Sequence, residues 1–143
     1  MHQITDMLLV GNILDAGKPP VNVGAVLLVA EEFSIDAPAG VMYEKIPLKE
    51  YGEAAPALLD RAVAWIERHL PENRVMVCCR VGMGRSVSVV MAYLCCVQDM
   101  AYADVLQLVT TRRPGACPLP NIQSAIEQVH QLRRASRSGS QLL

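Results

Sequence analysis

The chain has 143 residues, with 13 Lys+Arg against 14 Asp+Glu and a hydrophobic share of 52%. That length fits one domain, and so apolar a composition excludes a disordered chain. The arginines Arg133, Arg134 and Arg137 all follow the last acidic residue, Glu127, so the body before them is acidic and general nucleic-acid binding is not expected of it.

In chain order, the opening MHQITDMLLVGNILDA has neither a basic stretch nor a long apolar one and does not read as a signal peptide. Met7–Val10 and Val23–Ala30 are short apolar runs with β-branched residues. They predict two buried strands separated by the turn-rich GNILDAGKPP. Met42–Leu48 predicts a third strand. Pro56 then opens a helix with Leu58, Leu59, Ala62, Val63, Ile66 and Leu70 on one face and Asp60, Arg61, Glu67 and Arg68 on the other, stopped by Pro71. Trp65 belongs to this helix. Arg74–Cys79 predicts a strand that runs into a glycine-rich loop and then into a helix over about Ser86–Met100. That helix is apolar on nearly every side and is expected at the centre of the fold. Its apolar run, Val87–Val97, is too short for a bilayer, which needs roughly 20 residues. Ala101–Arg113 predicts an amphipathic helix stopped by Pro114 and Gly115. A last helix, capped by Asn121, carries Ile122, Ala125, Ile126, Val129 and Leu132 on one face. Strands in the first half and helices in the second predict an α/β fold, a small central, mostly parallel sheet flanked by helices. One domain is expected over residues 1–135, with a flexible tail over 136–143.

The five cysteines, Cys78, Cys79, Cys95, Cys96 and Cys117, are odd in number and lack Cys-x-x-Cys spacing. They suit a reducing, cytoplasmic compartment rather than a disulfide framework or a zinc site, and the scattered His2, His69 and His130 add no metal signature.

The chemistry concentrates in Cys79-Arg80-Val81-Gly82-Met83-Gly84-Arg85-Ser86, a cysteine at a strand end followed by a loop and a helix start. Successive backbone N–H groups of such a loop converge near the sulfur, and the helix dipole adds positive potential. Both favour thiolate over thiol, which makes Cys79 a nucleophile. The same amides bind a dianionic phosphate, and Arg85 adds a fork for two of its oxygens. Gly82 and Gly84 let the backbone turn its amides inward. Ser86 donates to the sulfur and helps the thiolate leave from a phosphocysteine intermediate. Arg80 either widens the positive field at the mouth or is simply solvated.

The segment VMVCCRVGMGRSVSVVMAYL resembles the signature of the cysteine-dependent protein phosphatases, in their compact dual-specificity form, His-Cys-x-x-Gly-x-x-Arg-Ser. ITDMLLVGNILDA, VGAVLLVAEE, YEKIPLKE and TTRRPGACPLPNIQSAIEQVHQL resemble the family's opening strand, its next strand, the strand before its general-acid loop and its closing helices. The resemblance implies a nucleophilic Cys79, a phosphate loop over Arg80, Val81, Gly82, Met83 and Gly84 with Arg85, and a supporting hydroxyl on Ser86. It implies hydrolysis of phosphotyrosine and phosphoserine or phosphothreonine in proteins, without cofactor or metal. Two positions depart from the pattern. Cys78 stands where the family has histidine, and the aspartate that protonates the leaving oxygen is matched by Glu50, with Glu53 and Asp60 as alternatives. A non-protein phosphomonoester, such as a phosphoinositide or an RNA 5′ end, and a phosphate-binding pseudophosphatase are the competing readings. The short chain and its 4% aromatic content predict a shallow, permissive site.

Overall fold

The computed structural model describes residues 1–141. Five strands form one sheet: β1 (His2–Gln3), β2 (Leu8–Gly11), β3 (Ala25–Leu28), β4 (Met42–Lys45) and β5 (Val75–Cys78). Their order is β1-β2-β5-β3-β4, with β1 antiparallel to β2 and every other pairing parallel. β2, β3 and β5 are buried at every position, as their continuous apolar runs require of a parallel sheet covered on both faces. β4, at the edge, is partly exposed. It stops at Lys45, short of the expected Leu48. Ile46 still donates to Leu28 O at 2.9 Å, but Pro47 has no N–H to continue the ladder.

The helices are α1 (Ile13–Gly17), α2 (Pro56–His69), α3 (Arg85–Cys96), α4 (Tyr102–Arg112) and α5 (Ile122–Gln141). α3 packs on β2 and β5, and α2, α4 and α5 gather round it. Every residue from Arg85 to Cys95 is buried, so the helix that is apolar on all sides lies in the middle. α2 begins at Pro56 and buries Leu59, Ala62, Val63, Trp65 and Ile66.

Two expectations need correction. The turn-rich segment after β2 holds α1, too short for a periodic pattern but closed by a capping box. Asp15 N donates to Asn12 Oδ1 and Asn12 N donates to Asp15 Oδ2, each at 2.9 Å. Asn121 precedes α5 with a left-handed φ of +59, and its carbonyl, not its side chain, accepts the first helical bond from Ala125. α5 ends at Gln141, and residues 142 and 143, the last of the expected tail, lie outside the described residues.

Parallel alignment positions the site. Gly11 and Leu28 are both level with Cys78, so β2, β3 and β5 finish at one edge of the sheet. The segments that leave those ends meet there, where open α/β sheets hold their ligands.

Candidate active site

Cys79 follows β5 directly and is buried, with 3% of its surface exposed. Gly82 N–H donates to its Sγ at 3.3 Å, and Ser86 Oγ lies 3.2 Å from the same sulfur. Each loop carbonyl is taken from outside the loop or from the helix it opens. Ile13 N binds Arg80 O at 3.2 Å, Cys117 N binds Met83 O at 2.7 Å and Ser88 N binds Gly84 O at 2.9 Å. Arg113 holds the remaining two, Gly82 O from Nε at 3.0 Å and Val81 O from Nη2 at 3.3 Å. With its carbonyls turned away, the loop presents its N–H groups inward, and among the described residues those of Val81, Met83 and Gly84 have no protein acceptor. A cradle of unpaired amides beside a sulfur and at a helix start is an anion site.

The backbone turn resides in Gly82, at φ +80. A Cβ there would stand 2.7 Å from Gly11 O and 2.5 Å from Arg113 Nη2. Gly84, with φ −115, needs no such freedom, contrary to the expectation that both glycines turn the chain.

Arg85 is 3% exposed, and its five N–H groups can be assigned. Nη1 and Nη2 meet the two oxygens of Glu32 end-on at 2.5 and 2.6 Å, and Nη1 also donates to Leu48 O at 3.1 Å. Nε–H and the second hydrogen of Nη2 remain. They form the side-on fork that matches two oxygens of a phosphate. The Arg85 guanidinium holds Glu32 well below the ordinary carboxylate range, at about 2.

Glu50 lines the same cavity as Cys79 and Arg85, whereas Glu53 and Asp60 do not. Its carboxylate, however, is gripped by Arg80. Nε reaches Oε1 at 2.9 Å and Oε2 at 3.1 Å, and Nη2 closes on Oε1. Arg85 Nη2 stands 4.0 Å from Oε2. The hydrogen bonds from Arg80 lower the Glu50 pKa, with both guanidinium charges adding to the effect. The expected proton donor is therefore held in an ion pair with Arg80. Arg80 is also reassigned: its side chain serves Glu50 and the Tyr51 hydroxyl, 3.3 Å away, rather than spreading a positive field at the mouth.

The cavity encloses about 420 Å³ and is walled by Tyr51, Val81, Met83, Cys117, Pro118 and Leu119, with Tyr51 its one aromatic ring among the described residues. A larger cavity of about 790 Å³ lies at the amino ends of the strands, between Thr5–Met7 and the far end of α3, and contains no cysteine. Cys78 is buried in β5, and burial pushes its thiol up. Burial also raises Cys95 to about 11 and Cys96 to about 12; Cys95 lies in the core and Cys96 is half-buried against it.

Sequence reading missed two residues of the site. Glu32 carries a readable signal, a carboxylate just past the end of a strand parallel to the nucleophile strand. Arg113, read only as the end of a predicted helix, is 3% exposed and braces the loop, and its Nη1 donates to His2 Nδ1 at 2.7 Å. Its partners come from residues 31 and more positions away, which no local pattern reveals.

Comparison with known proteins bears on the family and the fold. A family model described as the dual specificity phosphatase catalytic domain matches residues 13–137. Dual specificity protein phosphatase 1B of Arabidopsis thaliana is 28% identical over 134 residues, covering 90% of this chain and 80% of that one. Among solved structures, human DUSP28 superposes with a TM-score of 0.80 at 23% identity, over 95% of this chain and 99% of that one. A mouse putative dual specificity phosphatase complexed with zinc tungstate gives 0.82 at 21% identity, over 95% and 89%.

Proposed function

The chain belongs to the dual specificity phosphatase family of cysteine-dependent protein phosphatases, and from that premise we propose which of its residues carry the reaction. The loop amides and the remaining fork of Arg85 hold the phosphate dianion, with phosphorus in front of Cys79 Sγ. The sulfur pair forms the S–P bond while the P–O bond to the substrate breaks, its electrons going to the leaving oxygen. Charge on the equatorial oxygens is met by donors already in place, so little reorganisation is needed as it develops. Water then attacks the phosphocysteine, phosphate leaves, and the electrons return to sulfur, where the Ser86 hydroxyl at 3.2 Å and the Gly82 amide at 3.3 Å stabilise the departing thiolate.

The observation that carries this reading is the inward amide cradle around Cys79, held by five carbonyls turned away. Cys79→Ser should abolish hydrolysis of p-nitrophenyl phosphate and formation of a phosphorylated protein on rapid quench. Retained turnover in that variant would refute it. We assign the protein to the cytoplasm, because Cys78, Cys79, Cys95, Cys96 and Cys117 are all unbridged and no described helix is long and apolar enough to cross a membrane.

A further inference from the structure

Breaking a phosphate ester leaves an oxyanion whose stability decides whether a proton must arrive in the transition state. A phenolate is the conjugate base of an acid with a pKa of about 10. A serine or threonine alkoxide is far more basic, closer to hydroxide, whose acid has a pKa of about 15.7. The first departs unaided and takes its proton from water afterwards, while the second needs a donor at the site. General acid catalysis of this kind is worth about 10²–10⁴-fold.

Among the described residues that line the cavity, Glu50 is the sole carboxylate. Both its oxygens accept from Arg80, and Arg85 Nη2 stands 4.0 Å away. A carboxylate in that position accepts hydrogen bonds and holds no proton to give. The walls of the cavity suit an aromatic ring: Tyr51, Val81, Met83, Pro118 and Leu119 present apolar surface around Cys79.

We propose that the Arg80–Glu50 pair biases this phosphatase toward aryl esters, phosphotyrosine above phosphoserine and phosphothreonine in proteins, because the tied carboxylate delivers no proton to the leaving oxygen. This rests on the phosphocysteine reading above and names its substrate class. Selectivity lies in the leaving group and not in the depth of the pocket, so it is compatible with a short chain poor in aromatic residues.

The test is kcat/KM of wild type, E50Q and R80Q on one peptide sequence carrying phosphotyrosine or phosphothreonine, with phenyl and alkyl phosphates alongside. Wild type should prefer the phosphotyrosine peptide by at least about 100-fold, the lower bound of a missing acid. E50Q should keep that ratio within about threefold, because no acid is lost. R80Q frees Glu50 from its ion pair so that it takes up a proton toward acid, and at about pH 5 the ratio should narrow by about tenfold or more. The Arg80 side chain is 41% exposed, so this change spares the core. The proposal is overturned if wild type hydrolyses both peptides within about tenfold of each other, if E50Q widens the ratio by more than about tenfold, or if R80Q leaves it unchanged at about pH 5. A wild type inert toward every substrate, or a fully active Cys79→Ser, overturns the phosphocysteine reading itself and this proposal with it.

Discussion

Arg85 and Glu32 meet end-on, with N···O distances of 2.5 and 2.6 Å, across the gap between the start of α3 and the end of β3. The pair does two things. It compensates a guanidinium that is 3% exposed, and by occupying the end-on edge of that group it leaves the adjacent Nε–Nη2 edge for the cavity. A phosphate therefore meets an arginine whose orientation was set on folding, and little side-chain entropy is lost when it binds.

Replacing Glu32 by Gln should leave the fold intact and lower kcat/KM by roughly 10–100-fold, since an amide cannot accept from both nitrogens and a small misplacement of a positioning group is costly. Vanadate, a phosphate analogue, should lose affinity in parallel when measured as an inhibitor. Undiminished vanadate binding would mean that Arg85 is oriented without Glu32.

The same pair should shape the response to acid. A carboxylate with its pKa depressed to about 2 in the folded chain adds stability above its unfolded value, near 4.3. That stability is lost as pH falls through about 2. The stability gap between wild type and E32Q, followed by denaturant titration, should be constant above about pH 5 and shrink steadily below it. A gap that widened on acidification would contradict the assignment.

Gly82→Ala places a Cβ against Gly11 O and Arg113 at a φ of +80. Backbone strain alone costs about 1–3 kcal/mol, and the contact with a fixed carbonyl adds to it. The variant should melt several degrees lower and lose nearly all activity. Gly84→Ala, at an ordinary φ and with Cys117 O at 3.4 Å, should retain most of its stability.

Arg113→Met removes the donors to Val81 O and Gly82 O and leaves the buried Gly82 carbonyl unpaired. Turnover should fall about 100-fold. Hydrogen exchange at the Gly82 amide, which donates to Cys79 Sγ, should speed up, a change that loss of a remote surface charge would not produce. Unchanged exchange would show that the loop is held by its other contacts.

Ser86→Ala should slow the second chemical step more than the first. Hydrogen bonds to a charged partner contribute about 1.5–3 kcal/mol, or roughly 10–100-fold in rate. Rapid-quench kinetics with p-nitrophenyl phosphate should show a retained burst, a slower steady state and accumulated phosphocysteine. A lost burst with no intermediate would place Ser86 in the first step instead.

The amino-acid sequence by itself determined the parts of this protein that depend on neighbours along the chain. The apolar runs of β2, β3 and β5 and the all-round apolar α3 carry their own burial pattern. The run from Cys79 to Ser86 carries the whole nucleophile loop, because a strand end, a turn and a helix start are contiguous in it. Tertiary structure alone decided which distant side chains complete that loop. Glu32 reaches Arg85 across 53 positions, Arg80 reaches Glu50 across 30, and Arg113 reaches Gly82 across 31. Those meetings exist because β5 is inserted between β2 and β3, which brings the strand ends to one edge. Electrostatics follow from them: Glu50 has the residue type of a proton donor, and the Arg80 guanidinium folded against it lowers its pKa.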